Sequence, residues 1–241
     1  MPPSAEPPRY RCYGRRQRGR LRPGRKALIE HVLPALSIPL DGPPGTLRPT
    51  SLFPDSIAET WLEIGFGSGE HLTALARTHP DTGFLGCEPF ISGVAALLAH
   101  LPVEDRSRTR ILADDARLLL DALAPASVSR VFLLFPDPWP KRRHAKRRFV
   151  QPHTLDQLAR VMQPGALLRF ASDHPVCQHW VLRQLLDHPK FEWAARRPAD
   201  FLEPPDDWHG TRYETCGAPG STSPLFLEFT RTGVAASPGG H

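Results

Sequence analysis

Short apolar runs alternate with helix-like stretches along most of the chain. Between Thr60 and Arg231, runs of five to eight residues are separated by stretches of about ten to fifteen residues with helical spacing of apolar positions. The apolar runs are WLEIG, GFLGCEP, RILAD, VSRVFLLF and ALLRFAS. This alternation predicts an α/β domain with a parallel sheet that helices cover on both faces. A last run, SPLFLEFTRT, follows a loop and is expected to close the sheet as an antiparallel strand.

The two ends of the chain lack this pattern. Residues 1–25 are rich in Arg, Pro and Gly and poor in aliphatic side chains, which predicts a disordered basic tail. Residues 233–241 are expected to form a flexible C-terminal tail, so that residues 26–232 make one domain. No segment has the apolar length of a membrane span or of a signal peptide. The four cysteines are scattered and favour reduced thiols in a cytoplasmic protein that needs no metal.

Positive charge is concentrated in two segments. Of the 30 Lys and Arg residues, nine lie in residues 9–26 and six in residues 141–148, and neither segment contains an acid. The rest of the chain has 15 basic and 25 acidic residues, a balance of −10. An acidic body with two basic segments predicts a polyanionic partner, such as a nucleic acid. The alternative is a solubilising tail and a solvated helix face.

A glycine-rich turn follows the first predicted strand, in LEIGFGSGEHL. Gly65, Gly67 and Gly69 allow a sharp turn and a close approach of the backbone to a ligand. The dinucleotide-binding pattern has a third glycine where this chain has Glu70, and an acid there would repel a pyrophosphate. Glu63 suits a ligand that carries an amino group. The turn therefore favours S-adenosylmethionine, a cation without phosphate, over NAD.

Acids also follow the next two predicted strands. Glu88 stands at the end of GFLGCEP, where a carboxylate can accept hydrogen bonds from both hydroxyls of a ribose. Asp114 and Asp115 stand at the end of the third predicted strand, in RILADD, at the place where an adenine amino group would lie. Each acid alone is more typical of a helix cap or a solvated loop. Their shared position at successive strand ends favours a cofactor site.

The fourth strand runs into FPDPWPKRRHAKRR, residues 135–148. Its prolines restrict the backbone, which would hold Asp137 beside a planar acceptor. Trp139 is a candidate for stacking on a base, and a core tryptophan is the alternative. The six Lys and Arg residues that follow offer phosphate contacts beside this loop.

Together these motifs resemble the bacterial tRNA (guanine-N7-)-methyltransferases, the TrmB family. The resemblance also includes SDH at 172–174 and TRYE at 211–214, and it extends from about Trp61 to Glu214. It implies a Rossmann-like class I fold in which a mostly parallel sheet has helices on both faces and an antiparallel closing strand. It also implies transfer of a methyl group from S-adenosylmethionine to N7 of guanine at variable-loop position 46 of tRNA.

The resemblance assigns roles to individual residues. It places a first set on S-adenosylmethionine, of which Asp137 is also the catalytic residue: Glu63, Gly65, Gly67, Glu88, Asp115 and Asp137. It places a second set on the substrate: Lys141, Asp173, Thr211, Arg212, Tyr213 and Glu214. A third set lies on the tRNA: Arg143, His144, Lys146, Arg147 and Arg148. A cytoplasmic monomer or homodimer without a membrane partner is expected.

The chemistry of guanine N7 limits what these residues need to do. N7 has a lone pair and no proton, so its methylation needs in-line placement rather than a strong base. Asp137 is expected to orient the guanine and to balance the positive charge that develops on the ring. Asp173 and Glu214 are expected to accept hydrogen bonds from the guanine N1–H and its exocyclic amine.

Three other functions remain open from the sequence. An NAD-dependent oxidoreductase is one, although the missing third glycine opposes it. A non-catalytic RNA-binding protein on the same fold is another, although every acid of the predicted cradle is present. The third is a methyltransferase that acts on another RNA or on an exocyclic amine, because Pro-Asp-Pro-Trp loosely resembles the Asn/Asp-Pro-Pro-Tyr loop of amine methyltransferases.

Overall fold

A seven-stranded mixed sheet forms the centre of the molecule. The computed structural model describes residues 10, 12–14, 16–17, 19–210 and 220–233. The strands of the sheet are β1 (Glu59–Ile64), β2 (Thr82–Cys87), β3 (Thr109–Leu112), β4 (Val128–Leu134), β5 (Met162–Ser172), β6 (Phe191–Trp193) and β7 (Leu225–Arg231). Their order is β3-β2-β1-β4-β5-β7-β6. The first five strands pair in parallel, and β7 pairs antiparallel with both β5 and β6. The predicted sheet and its antiparallel closing strand are confirmed.

Eight α-helices accompany the sheet within the described residues: α1 (Pro23–His31), α2 (Leu33–Leu36), α3 (Glu70–Thr78), α4 (Ile91–His100), α5 (Ala116–Ala122), α6 (Pro152–Val161), α7 (Pro175–Leu186) and α8 (Ala199–Leu202). They separate into two layers. Apolar residues of α5, α6 and α7 share one buried cluster with one face of the sheet, and those of α3 and α4 share another.

Alternation along β1 shows how the two cores arise. Leu62 and Ile64 belong to the cluster on the α5–α7 face, whereas Trp61 belongs to the cluster on the α3–α4 face. Successive side chains of a strand point to opposite faces, so a run that is apolar at every position is buried on both sides. Strand β6 was not predicted, because in its three residues only Phe191 is buried and no period can be recognised.

A helix begins close to the predicted start of the domain. Helix α1 begins at Pro23, so the predicted domain boundary at residue 26 falls inside a helix. Leu28 and Ile29 of this helix pack against the α3–α4 cluster, and that burial provides a physical reason for order this early in the chain. Residues 1–9, 11, 15, 18 and 234–241 of the predicted tails lie outside the described residues. Within the described part, no helix is both long and apolar enough for a bilayer crossing.

Candidate active site

A cavity of about 660 Å³ opens at the carboxyl ends of β1, β2 and β4. The strand order reverses between β1 and β4, and ligands of open α/β sheets bind at such a switch point. The volume lies within the usual range for a small-molecule site. The cavity brings together eight of the predicted site residues: Gly65, Gly67, Glu88, Asp115, Asp137, Lys146, Arg147 and Arg148.

The glycine turn forms the floor of this cavity. Gly65 and Gly67 have φ angles of +74° and +58°, in the left-handed region that side chains with a Cβ seldom adopt. The amide of Gly65 donates to the carbonyl of Cys87 at 2.7 Å, which ties the turn to the end of β2. Helix α4 approaches the turn so closely that a Cβ on Gly93 would overlap the carbonyl oxygen of Gly67. Gly93 therefore helps to shape the cavity, a role that no pattern in the sequence predicted.

Glu88 holds the turn from the side of β2. Only 8% of the residue is exposed, and its carboxylate accepts the amide of Gly67 at 2.9 Å and that of Phe90 at 2.8 Å. Burial raises the pKa of Glu88 above its ordinary value, against the lowering effect of these two amides; the nearby Asp137 and Glu63 raise it further. Each carboxylate oxygen retains a second lone pair, so Glu88 can still accept hydrogen bonds from a ligand in the cavity.

Asp115 lines the cavity and also caps a helix. Its carboxylate accepts the amide of Arg117 at 3.0 Å as the N-cap of α5, and it forms an ion pair with the guanidinium of the same residue at 2.6 Å. Burial raises the pKa of Asp115, but the hydrogen bonds and charge of Arg117 outweigh this effect and leave the pKa lowered. The neighbouring Asp114 pairs with Arg16 instead, at 2.6 Å.

The structure does not bring Glu63 to the cavity. Its side chain is almost completely buried and lies 2.9 Å from Nδ1 of His71 on α3. Ile64 is the β1 residue that reaches the cavity, and neighbouring side chains of a strand point to opposite faces. Glu63 therefore connects β1 to α3, and its predicted contact with S-adenosylmethionine stays a prediction.

The loop after β4 has an unusual backbone. Phe135 and Trp139 have φ angles of +47° and +41°, which are uncommon for residues other than glycine and cost about 1–3 kcal/mol each. Such strained conformations persist where the surrounding structure holds them. Here the amide of Phe135 donates to the carbonyl of Ala171 at 2.8 Å, so the start of the loop is fixed to β5.

Asp137 projects from this loop at the mouth of the cavity. Its side chain has exposed surface, but the protein surrounds the carboxylate closely enough that desolvation raises its pKa above the ordinary value for Asp. None of the ion pairs found among the described residues involves Asp137. An uncompensated carboxylate in this position favours a cationic or hydrogen-bond-donating ligand.

Arg148 has a structural role, and its predicted contact with the tRNA stays a prediction. The residue is only 8% exposed. Its guanidinium donates to the carbonyls of Pro138 at 3.3 Å and Trp139 at 3.0 Å, and it lies 4.7 Å from the ring centre of Trp180. Arginine matches this position because its planar group can donate in two directions while it stacks on an aromatic ring. Arg148 thereby fixes the loop that carries Asp137.

Replacing Arg148 by Met should lower the free energy of unfolding by about 2 kcal/mol, because two charge-assisted hydrogen bonds to the strained loop are lost. Methylation should fall with it, since the loop no longer holds Asp137. Urea unfolding checks the first expectation. Arg143→Met is the matched control: Arg143 is exposed in the same segment, so its replacement should change stability by less than about 0.5 kcal/mol. Equal stability of the two variants would contradict the structural role.

The remaining basic residues lie around the cavity mouth. Lys141 and Arg143 are exposed, and His144 is partly buried with its ring 5.7 Å from that of Trp139. The guanidinium of Arg147 lies between two rings, 4.9 Å from Trp139 and 5.3 Å from Tyr13. Trp139 is partly buried, lines the cavity and packs against the basic segment, and its stacking on a base stays a prediction.

Only some of the predicted substrate residues lie among the described residues. Asp173 is partly buried outside the cavity, and its carbonyl accepts the amide of Thr222 at 2.7 Å. Thr211, Arg212, Tyr213 and Glu214 lie outside the described residues. Three residues that line the cavity were missed: Cys12, Tyr13 and Gly14. Their segment has the composition of a disordered tail, so no signal in the sequence pointed to them.

Comparisons with known proteins identify the family of this chain. A family model described as "Putative methyltransferase" matches residues 58–214. The tRNA (guanine-N(7)-)-methyltransferase of Paramagnetospirillum magneticum is 47% identical over 93% of this chain and 93% of its own. The protein of the same name from Rhodospirillum rubrum is 44% identical over 95% of this chain and 91% of its own.

Solved structures with low sequence identity share the fold. The 16S rRNA methyltransferase KamB aligns with a TM-score of 0.51 and 17% identity over 76% of this chain and 90% of its own. A variant of the 16S rRNA (adenine(1408)-N(1))-methyltransferase of Catenulisporales acidiphilia, solved with its cosubstrate S-adenosylmethionine, aligns with a TM-score of 0.50 and 16% identity over 76% of this chain and 89% of its own. These two structures support the fold alone.

Proposed function

Because this chain belongs to the tRNA (guanine-N7-)-methyltransferase family, we propose that it methylates N7 of guanine 46 in the variable loop of tRNA, with S-adenosylmethionine as the methyl donor. One observation supports this most directly. A cavity with buried carboxylates lies at the switch point of the sheet, and an exposed basic segment borders its mouth. A cationic small molecule and a polyanion can therefore meet at this place.

The residues of the cavity fit the proposed methyl donor. When bound, S-adenosylmethionine supplies an electrophilic methyl group on a sulfonium. The glycine turn leaves room for its methionine part, and the free lone pairs of Glu88 suit the ribose hydroxyls. Asp115 lines the part of the cavity next to α5, beside the expected adenine position. We assign Glu63 to holding the glycine turn through His71, and only indirectly to the donor.

Asp137 has the central role in the proposed chemistry. The N7 lone pair forms a bond to the methyl carbon while the carbon–sulfur bond breaks and its electrons remain on sulfur, so the guanine ring becomes positively charged. A carboxylate at the cavity mouth stabilises that charge without accepting a proton. The strained backbone of its loop and the buried guanidinium of Arg148 hold Asp137 in place before the substrate binds.

In this proposal the basic segment, residues 141–148, binds the phosphate backbone of the tRNA. Lys141, Arg143 and Lys146 are exposed cations beside the loop of Asp137 and suit phosphate contacts. Arg147 and His144 pack around Trp139 and would shape the surface on which the target base rests. Asp173 and residues 211–214 complete the proposal as the groups that read the guanine edge. The proposed site of action is the cytoplasm.

Nucleoside mass spectrometry tests the function. An unmodified tRNA transcript is incubated with the protein and S-adenosylmethionine, and 7-methylguanosine is quantified. A second transcript in which guanine 46 is replaced by adenine should lose the product completely. Product in both transcripts would contradict the position but not the reaction. The absence of 7-methylguanosine from several tRNA transcripts, together with no binding of the donor in calorimetry, would overturn the reaction itself.

A further inference from the structure

Three exposed arginines follow the part of the N-terminal segment that lines the cavity. Arg20, Arg22 and Arg25, called here the N-terminal patch, are all exposed. No acid among the described residues forms an ion pair with any of them. The nearby Lys26 pairs with Glu30 at 3.3 Å. The patch therefore has three positive charges available for another molecule.

A first contact fixes the start of the segment on the domain. The hydroxyl of Tyr10 donates to the carboxylate of Asp121, with distances of 3.1 and 2.9 Å to its two oxygens. The guanidinium of Arg117 lies 4.6 Å from the ring centre of Tyr10. Because Arg117 also pairs with Asp115, Tyr10 is connected to the wall of the cavity.

The middle of the segment lies across the cavity. Cys12, Tyr13 and Gly14 all contribute to its lining. The ring of Tyr13 packs against Arg147 from the other basic segment, at 5.3 Å. The two basic segments therefore meet at the mouth of the same cavity.

A second contact fixes the far side. The carbonyl of Arg16 accepts the amide of Ile91 at 3.0 Å, and its guanidinium pairs with Asp114 at 2.6 Å. Ile91 is the first residue of α4, directly after Phe90, which lines the cavity. The segment thus crosses from the α5 side of the cavity to the α4 side.

These contacts limit where the patch can lie. Arg20 is four residues from Arg16, so the two are at most about 14 Å apart, and Arg22 is at most about 22 Å away. Beyond them, α1 packs on α4, with Leu28 and Ile29 against the cluster that contains Val94. The patch therefore lies between Arg16, which contacts the start of α4, and the part of α1 that packs on α4.

We propose that the N-terminal patch is the second half of the RNA-binding surface. It contacts phosphates on one side of the target nucleotide while Lys141, Arg143 and Lys146 contact those on the other side. This inference rests on the proposed function, because it assumes that an RNA base enters the cavity. Cations on both sides of the mouth would bind the RNA backbone at two places. The binding free energy of these contacts can offset the cost of unstacking or unpairing the target base, about a few kcal/mol.

The salt dependence of RNA binding tests the patch. Dissociation constants for a tRNA transcript are measured over a range of salt concentrations for the full chain and for the triple variant Arg20→Gln, Arg22→Gln, Arg25→Gln. Each lost phosphate contact lowers the log–log slope by about 0.7–0.9, so the slope should fall by about 2–3. Calorimetry should give an unchanged affinity for S-adenosylmethionine, which shows that the variant is folded.

A matched triple variant controls for net charge. Arg77, Arg183 and Lys190 are exposed, and Arg77 and Lys190 stand shortly before β2 and β6, at the edge of the sheet opposite the cavity. Their replacement by Gln should leave the slope unchanged. An unchanged slope for the patch variant, or an equal change for both variants, would overturn the proposal. Because RNA binding is measured apart from turnover, a protein that produces no 7-methylguanosine but shows the predicted slopes would contradict the function and not the surface.

Discussion

Replacing Asp137 by Asn should lower kcat for tRNA methylation by about 10²–10³-fold, the range found when one preorganised electrostatic group is lost from a site. Asparagine has nearly the same shape and keeps an acceptor oxygen, so the base and the donor should still bind. What disappears is the negative charge that stabilises the ring as it becomes cationic. Single-turnover measurements with saturating tRNA and donor isolate this step from binding.

The pH dependence should distinguish charge from shape at this position. Desolvation by the surrounding protein raises the pKa of Asp137, so the carboxylate takes up a proton at a higher pH than an ordinary aspartate does. The active form is ionised, and the wild-type rate should therefore fall as the pH decreases through that raised pKa. The Asn variant should lack this decrease. Asp81→Asn, at an exposed site before β2, is the matched control and should match the wild-type rate. Full turnover of Asp137→Asn would remove the electrostatic role.

The fold could be predicted because each local pattern agreed with the others. Runs such as VFLLF are apolar at successive positions, a pattern that is typical of a strand buried between two helix layers. The closing strand β7 was recognisable because a loop precedes it and no helix pattern follows it. Strand β6 was missed because it is short and depends on pairing with β7, a contact between residues that are far apart in sequence.

The sequence predicted which residues of the candidate site stand at the ends of strands, but not how their side chains are oriented. A sequence identifies which residues follow a strand, and parallel topology then brings Gly67, Glu88 and Asp137 to one edge. It does not give the contacts of a single side chain, such as that of Glu63 with His71, and the predicted role of Glu63 in cofactor binding stays a prediction. It also does not separate a buried guanidinium from exposed ones within a basic run, as Arg148 shows.

The contacts of the N-terminal segment could not be predicted from its composition. Its composition predicts disorder, because it has too few apolar side chains to form a core. The described residues are instead placed by specific polar contacts, such as those of Tyr10 and Arg16, with acids more than 95 positions away in sequence. Contacts of this kind leave no periodic signal. The same reason applies to Gly93, whose importance comes from a carbonyl on another element.

Replacing Glu88 by Gln should weaken the binding of S-adenosylmethionine by about 10–100-fold. The carboxylate accepts the amides of Gly67 and Phe90, one on each oxygen. A glutamine has one acceptor oxygen, so its NH₂ group must face one of these buried N–H donors, and an unpaired buried donor costs about 1–3 kcal/mol. The glycine turn would shift, and one acceptor for the ribose hydroxyls would be lost. Titration calorimetry measures the change directly.

The pH dependence of that binding follows from the same environment. Burial raises the pKa of Glu88, and ribose hydroxyls donate to the ionised form. Wild-type affinity should therefore be greatest above the raised pKa and should decrease as the pH falls through it, whereas the affinity of the Gln variant should not depend on this group. Glu104→Gln, at an exposed site before β3, controls for the loss of one negative charge. If Glu88→Gln binds the donor as tightly as Glu104→Gln does, Glu88 is not part of the cofactor site.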